Sequence, residues 1–214
     1  MQKSRTFVFF LAFCWLSFQA ASLSAQEWED DWDFYAMDLY AMGDQTFTIT
    51  LGVVFPTVFV YRDSDGNPSA SMDHNFRPPV GGGGSLTYTY FLGSNIFVGG
   101  EIGVSFTYTV ARNTVFIIPI GLRAGWQFLL GRFEFPVALT FGVAPQRYMD
   151  LSYVGMFLRG SASAFYRFNP EWSFGLNTDW TWLPQRPRRD GNRVPAENVD
   201  ATMLGITISA RYHF

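Results

Sequence analysis

The chain of 214 residues has very little cysteine, lysine or charge, and only one long apolar run. Cys14 is the only cysteine and Lys3 the only lysine, and charged residues make up 15% of the chain. The apolar run, from Thr6 to Phe18, lies near the N-terminus, so no membrane-spanning helix remains if that run is a signal peptide. The low charge also excludes a solvated disordered chain and a nucleic-acid binder.

Aromatic residues and glycine are abundant instead. The sequence contains 23 Phe, 10 Tyr, 7 Trp and 20 Gly, and 48% of its residues are hydrophobic. A chain this apolar that lacks a spanning helix has one main way to cross a membrane, which is a closed β-barrel, because only there do all backbone polar groups find partners.

Residues 1–25 have the pattern of a secretory signal peptide. Lys3 and Arg5 form the basic start, the apolar run follows, and small residues at 22–25 form the exit. Removal of this segment leaves no cysteine, and hence no disulfide. It also leaves 13 arginines against 18 acidic residues, a net charge of −5. We therefore expect no nucleic-acid partner.

Residues 26–44 form an acidic segment without a basic residue, which we expect in the periplasm. Five of its apolar residues follow helical spacing. The segment is therefore predicted either as a short helix docked at a barrel mouth or, equally, as a flexible leader. The five residues are Trp28, Trp32, Tyr35, Leu39 and Met42.

From residue 45 to residue 214, apolar and polar residues alternate in stretches that are separated by turn residues. This period of two is typical of strands with one face to lipid and one to a lumen. The pattern predicts an all-β fold, an eight-stranded antiparallel up-and-down transmembrane β-barrel in the cell outer membrane. A soluble barrel is disfavoured, because aromatics cluster at both ends of the apolar faces. The predicted strands are 45–61, 85–92, 96–110, 114–128, 133–143, 153–168, 172–182 and 204–214.

The connections between these stretches are short on one side and longer on the other. Outer-membrane barrels place their short turns in the periplasm. Both termini are therefore expected in the periplasm, with the longer connections outside the cell.

Seven charged residues fall within the predicted strands, all on the face opposite the apolar stripe. A charge facing the bilayer midplane would cost about 2–4 kcal/mol, so this sorting is physically required. The residues are predicted to form a charged floor inside the lumen. They are Glu101, Arg123, Glu134, Arg159, Arg167, Asp179 and Arg211.

One ion pair can be predicted within this charged floor. If the hairpin after the third strand is centred on Arg112, Glu101 lies directly opposite Arg123. Such pairs could satisfy polar groups in a filled barrel or gate an ion path, and the first interpretation is favoured. An eight-stranded lumen is in either case too narrow for an open aqueous pore.

Nearer the longer connections, the same parity points apolar side chains inward. An apolar cup above a charged floor predicts a site for a small hydrophobic ligand. The alternative is a strand bulge that reverses the parity and returns some valines to lipid. The predicted ligand-binding residues are Val54, Val58, Val60, Val115, Ile117, Tyr153, Phe157 and Met203.

Pro119 and Pro136 lie inside predicted strands, where each removes a ladder donor. They are candidates for a lateral opening in the wall, or they are ordinary bends. The connection 183–199 carries a basic patch, which could bind an anionic glycolipid or polyanion or simply be solvated. This patch consists of Arg186, Arg188, Arg189 and Arg193.

Catalytic and metal-binding patterns are weak. Ser71, Asp73 and His74 share one predicted loop, which alone does not indicate a catalytic triad. His74 and His213 are the only histidines, so a histidine metal cluster is not available. We therefore expect no enzyme activity, no cofactor and no metal.

The chain resembles the OmpW/OprG family of eight-stranded outer-membrane proteins. The resemblance is strongest at Ser85–Gly103, at Asn169–Trp182 and in the last residues, Ala210–Phe214. It implies a monomeric narrow channel that takes small hydrophobic molecules from outside and releases them laterally into outer-membrane lipid. The terminal Tyr212-His213-Phe214 resembles the signal that the barrel-assembly machinery recognises. The acidic N-terminal segment and the charged floor depart from the family pattern, and an adhesin-type or structural barrel is the alternative function.

Overall fold

The computed structural model describes residues 40–62, 68–72, 80–108, 114–148, 151–185, 188–189, 192–193 and 199–214. These residues form a closed antiparallel β-barrel of eight strands, which confirms the predicted fold class. The described residues contain twelve strand segments, because some of these segments extend the wall, interrupt it or lie outside it. The segments are β1 (Gln45–Arg62), β2 (Pro68–Met72), β3 (Gly81–Phe91), β4 (Ile96–Tyr108), β5 (Thr114–Ile117), β6 (Ile120–Leu130), β7 (Phe133–Tyr148), β8 (Leu151–Arg167), β9 (Trp172–Gln185), β10 (Arg188–Arg189), β11 (Asn192–Arg193) and β12 (Val199–His213).

β5 and β6 together make one wall strand, because both lie between β4 and β7 in one continuous register. The interruption falls at Ile118 and Pro119, where proline cannot donate a ladder hydrogen bond. β2 extends the sheet beside β1, and β10 pairs with β11 in a separate hairpin. The remaining strands follow each other around the barrel in chain order.

The barrel closes where β1 pairs with β12, from Thr46 opposite His213 to Tyr61 opposite Val199. The C-terminal residue lies at the same end as the tight connections 92–95, 131–132 and 168–171. We call this end the turn end and the opposite one the loop end. Gly131 has a φ of 57° in its two-residue turn, a conformation that favours glycine.

The outer surface of the barrel is apolar. Leu51, Leu122, Leu176 and Ile208 are all more than 60% exposed, although they lie in the middle of long strands. A continuous apolar band of this size on a folded protein indicates contact with lipid. Alternate positions on the same strands carry buried threonines, serines and ionisable groups, as the sequence pattern predicted.

No helix among the described residues is long and apolar enough to cross a membrane. The predicted signal peptide, 1–25, and residues 26–39 of the acidic segment lie outside the described residues. Residues 40–44 of that segment are described, and they form a short turn rather than a helix. The predicted short helix or flexible leader, most of which falls in residues 26–39, stays a prediction.

Several strands extend further toward the loop end than the sequence predicted. Gly81–Gly84, which the sequence indicated as a lead-in, pairs with β1, and Gly82–Gly84 also pairs with β4. Residues 144–148 and 199–203 likewise belong to β7 and β12. The predicted strands were therefore too short at the loop end.

β1 contains a bulge at Thr57. Pro56 pairs with Met203, whereas Val58 pairs with Thr202, so one residue of β1 has no partner in β12. The Thr57 hydroxyl hydrogen-bonds to the Thr202 side chain at 2.8 Å. A one-residue bulge reverses which face each later side chain occupies.

Gly99 lies at a close approach of two strands, and this allows a prediction of stability. A Cβ at Gly99 would overlap the carbonyl oxygen of Tyr88, whereas a Cβ at neighbouring Gly100 would have its nearest neighbour, the carbonyl oxygen of Gly121, at 4.0 Å. Gly99→Ala should lower the free energy of unfolding by about 1–3 kcal/mol through overpacking. Gly100→Ala should change it by less than about 0.5 kcal/mol. Urea unfolding in lipid vesicles, followed by tryptophan fluorescence, measures both, and equal effects would contradict the explanation.

Candidate functional site

The lumen is the candidate functional site, and its side chains form three layers. Nearest the loop end is the upper apolar cluster, below it the middle charge cluster around Glu101, and at the turn end the lower charge cluster around Glu134. The upper apolar cluster consists of Val54, Val115, Ile117, Ala144, Phe157, Leu183, Ala201 and Met203.

Five of the eight predicted ligand-binding residues belong to the upper apolar cluster. Val115, Ile117, Phe157 and Met203 are at most 7% exposed, and Val54 packs against them. Period-two alternation was sufficient to place these residues inside. Their predicted role in ligand binding remains a prediction.

Two of the predicted residues, Val58 and Val60, do not belong to the cluster. Val58 is 43% exposed, because the bulge at Thr57 turns it away from the lumen. The same shift places Val60 opposite Asp200, whereas the register before the bulge would have placed it opposite Val199. The inward prediction for both valines is therefore wrong, and the bulge considered as an alternative is the reason.

Tyr153 is the remaining predicted residue of this set. Its backbone pairs with that of Gln146 in β7. Its side chain lies outside the described part of the structure. Conversely, sequence analysis missed Leu183, which is 2% exposed and was assigned to a loop. The alternation of Thr181 and Trp182, continued by one residue, would have placed it inside.

The middle charge cluster is centred on the Glu101 carboxylate. Arg123 Nη1 lies 3.3 Å from Glu101 Oε2, and Arg159 Nη1 pairs with Glu101 Oε1. The Thr140 hydroxyl donates to Oε2 at 3.3 Å, and Arg159 Nε lies 3.5 Å from Asp179 Oδ1. Two arginines and two acids thus neutralise one another at mid-height in the barrel.

The register of the Glu101–Arg123 pair differs from the prediction. Glu101 is opposite Gly121, and Arg123 is opposite Gly99, a shift of two residues from direct opposition. The two side chains still meet diagonally, because a shift of two leaves each residue on its original face. The predicted ion pair is therefore confirmed, and the predicted register is wrong.

The lower charge cluster is centred on Glu134, which is fully buried. Arg211 Nη1 lies 3.0 Å from Glu134 Oε2, and Arg167 Nε lies 3.7 Å from Oε1. Gln127 and Ser173 also donate to this carboxylate, at 3.5 and 3.4 Å. The seven charged residues predicted inside the lumen thus fall into two clusters, each around one glutamate.

Tyr40 closes the lower charge cluster from the turn end. Its hydroxyl donates to Glu134 Oε2 at 2.8 Å and lies 3.1 Å from His213 Nδ1. Its ring stacks on Phe91 with centroids 3.9 Å apart, and Arg167 lies 5.3 Å from the ring centroid. Burial raises the pKa of Tyr40, so the hydroxyl stays protonated as a donor.

Sequence analysis missed Tyr40. The helical spacing of the acidic segment indicated other aromatic residues. The residues next to Tyr40 in the sequence form no pattern that marks a tyrosine as entering a barrel. The signal lies in the turn that follows: Ala41 donates its backbone N–H to Asp44, and Gly43 donates to Phe91. These two bonds fix the chain at the barrel mouth.

A cavity of about 70 Å³ lies between the clusters. A buried water needs about 10–15 Å³, so the cavity has room for a few waters or a small polar group. Its wall combines apolar side chains of the upper cluster with Glu101, Arg123, Arg159, Asp179 and Arg211. Among the described residues, the lumen therefore shows this small cavity rather than an open aqueous pore.

The two candidate prolines have different surroundings. Pro119 lines the cavity, and the wall around it remains bonded, because Gly103 donates to the Pro119 carbonyl and Ile118 to the Pro145 carbonyl, at 2.8 and 2.9 Å. Pro136 is buried outside the cavity wall, and the β7–β8 ladder lacks pairs at Phe135 and Pro136. Both remain candidates for a lateral opening.

The remaining predicted groups lie at the loop end. Arg188 pairs with Arg193, and Arg189 with Asn192, in the β10–β11 hairpin, whose side chains are outside the described part. Arg186, Asp73 and His74 also lie outside it, and Ser71 is described only as a backbone position in β2. Within the described ranges, no three His, Cys, Asp or Glu residues group as metal ligands would.

Comparison with solved structures supports the class of protein that this architecture defines. Neisserial surface protein A superimposes with a TM-score of 0.57 at 8% identity, covering 80% of this chain and 97% of that one. OprG from Pseudomonas aeruginosa superimposes with a TM-score of 0.53 at 12% identity, covering 83% and 99%. The chain therefore has the fold of an eight-stranded outer-membrane β-barrel, and the resemblance to OprG is confirmed for the fold.

A more specific assignment comes from sequence. The model of a Treponema family matches residues 27–212, and the chain belongs to this family. Two proteins of Treponema pallidum (strain Nichols), both described as uncharacterized, are 30% and 22% identical to it over 134 and 163 residues. These matches cover 63% and 71% of the chain but 59% and 56% of the relatives, so the chain spans less than two thirds of their length.

The lower charge cluster predicts a strong dependence of stability on Glu134. Glu134→Ala removes the acceptor shared by Arg211 and Arg167. It should lower the free energy of unfolding by about 3–5 kcal/mol, because both buried arginines lose their carboxylate partner. Glu171→Ala, at an exposed turn position, should cost less than about 0.5 kcal/mol. Urea unfolding of both variants in vesicles checks this. A loss below about 1 kcal/mol for Glu134→Ala would show that the cluster is not coupled as described.

Tyr40 provides a second test of the turn end. Tyr40→Ala should lower the unfolding free energy by about 3–5 kcal/mol, because it empties the space beside Phe91. Tyr40→Phe keeps the ring and should cost about 1–3 kcal/mol through the lost donor to Glu134. Tyr88→Phe is the matched control, since the Tyr88 hydroxyl bonds Gln45 at an exposed site. If the Tyr40 and Tyr88 phenylalanine variants unfold alike, the buried hydrogen bond does not stabilise the barrel.

Proposed function

We propose that this protein is a narrow outer-membrane channel that takes up small hydrophobic molecules from the loop end. The observation that carries the proposal is the upper apolar cluster, which occupies the lumen above two charge clusters. A barrel that only needed filling would gain nothing from this division. Apolar walls with a few fixed polar groups are typical of sites for small ligands.

The charge clusters direct the path of a solute. Both carboxylates are nearly or fully buried and bonded on both oxygens, so a solute cannot continue straight to the turn end without breaking ion pairs. Breaking a buried pair costs several kcal/mol. Release is therefore sideways through the wall, and Pro119 is the better of the two candidates, because it lines the cavity beside Gly83 and Gly84.

The orientation of the protein follows from the same proposal. The loop end faces the outside of the cell, and both termini face the periplasm, as in outer-membrane barrels with short periplasmic turns. Outer-membrane lipid is the expected acceptor of the released molecule. The terminal Tyr212-His213-Phe214 is the expected signal for the barrel-assembly machinery.

A second candidate function is an anchor or adhesin that does not transport. It is favoured by one observation, that the side chains of the upper apolar cluster already pack against one another in the lumen. In that case the loops would make the contacts, and the Arg188–Arg193 hairpin would offer a basic surface to an anionic partner.

The channel proposal predicts selective uptake into liposomes that contain the purified protein. A small apolar fluorophore should enter faster than into protein-free liposomes, whereas a polar sugar should enter at the protein-free rate. Ile117→Asn places an amide in the upper apolar cluster and should reduce apolar uptake about tenfold or more, because the amide is desolvated without a partner.

Thr87→Asn is the control for this experiment, because it places the same side chain at a polar, buried position of the lumen. It should leave uptake within about twofold of the unmodified protein, a change of under 0.5 kcal/mol. If the apolar fluorophore enters liposomes with the unmodified protein no faster than protein-free liposomes, the transport proposal is wrong. The anchor or adhesin function then remains.

A further inference from the structure

The wall of the lumen cavity carries more positive than negative charge. Arg123, Arg159 and Arg211 line it, together with Glu101 and Asp179. Just below, Glu134 pairs with Arg211 at 3.0 Å and with Arg167 at 3.7 Å. The wall and its immediate surroundings therefore hold one more arginine than acid.

Other described charges do not alter this balance. Asp200 pairs in the backbone register with Pro184 and Val60 at the loop end and does not line the cavity. His213 contacts Ser173 and Tyr40 in the lower charge cluster. An unbalanced charge in a confined, partly desolvated space favours a counter-ion.

Of the three arginines in the cavity wall, Arg123 uses the fewest of its N–H donors in hydrogen bonds to the protein. Its hydrogen bond among the described residues goes to Glu101 at 3.3 Å, whereas Arg159 also reaches Thr181, and Arg211 also reaches Thr48, Gln127 and Glu134. A guanidinium has five N–H donors in a planar fork that matches a carboxylate. Its side chain is 13% exposed, and it lines the cavity.

The same cavity is apolar on its loop side. Val54, Ile117, Leu183 and Met203 line it there and belong to the upper apolar cluster. The volume of about 70 Å³ suits a head group of a few atoms, not a whole chain. A molecule that places its polar end in this space beside Arg123 therefore keeps its apolar tail on the loop side, against the upper apolar cluster.

We propose that the lumen selects amphiphiles whose polar end is a carboxylate, which Arg123 binds while the upper apolar cluster holds the tail. The inference rests on the proposed uptake of hydrophobic molecules and specifies their class as carboxylic acids with an apolar chain. The excess arginine favours the ionised acid over a neutral alcohol and disfavours an alkylammonium ion. The bonded Glu101 and Asp179 limit the site to one negative charge.

The test is binding of three ten-carbon probes to the full-length protein in lipid nanodiscs at pH 8, by calorimetry against empty nanodiscs. Decanoate should bind about tenfold more tightly than 1-decanol, which reflects one charge-assisted hydrogen bond. Decylammonium should bind more weakly than 1-decanol. Equal binding of all three would overturn the carboxylate selectivity while leaving uptake of hydrophobic molecules standing, whereas no binding above empty nanodiscs would overturn both proposals.

Two variants that change the net charge of the lumen in opposite directions test the assignment to Arg123. Arg123→Gln should weaken decanoate about tenfold without changing 1-decanol, and Glu101→Gln, which adds one net positive charge, should strengthen decanoate. Arg132→Gln, at the exposed turn 131–132, is the matched control and should change neither probe. Decanoate binding that is unchanged in both Arg123→Gln and Glu101→Gln would overturn the proposal.

Discussion

The hydrocarbon core of a bilayer offers no hydrogen-bond partner to a peptide group, and the rest of this structure depends on that constraint. The barrel meets it by closing β1 on β12, so that no strand edge remains in the wall. Because side chains alternate along each strand, closure also sorts them into a lipid face and a lumen face. Charged side chains in the described strands, such as Glu101, Arg123 and Glu134, are thereby directed into the lumen, where each needs a partner.

The partners are found around two glutamates rather than in isolated pairs. A carboxylate has two oxygens that together accept several hydrogen bonds, so Glu101 and Glu134 each gather donors from different strands. Buried ion pairs add little net stability against apolar packing, but loss of one partner is costly. The clusters therefore fix the lumen in one arrangement and close it, and Tyr40 completes the lower one without adding a charge.

Alternation predicted much of this arrangement, and its failures have physical reasons. It placed the seven lumen charges correctly because a residue's face depends only on whether its position is odd or even. The register error of two between Glu101 and Arg123 did not matter, since it preserved both faces. The one-residue bulge at Thr57 did matter, because it reversed the faces of Val58 and Val60. Tyr40 reaches the lumen from outside the alternating part of the chain, so no strand pattern could indicate it.

The boundary between the apolar and charged layers is where the lumen can discriminate between molecules. Phe157 lies on this boundary: its ring packs in the upper apolar cluster, and the Arg159 guanidinium lies 5.6 Å from its centroid. A wholly apolar solute gains binding free energy from the upper apolar cluster alone, so no single orientation is favoured. A solute with a polar end gains from both layers only in one orientation, with that end down. Under the proposed uptake, the layering would therefore favour amphiphiles over plain hydrocarbons, and the charge clusters beneath would restrict their exit to the wall.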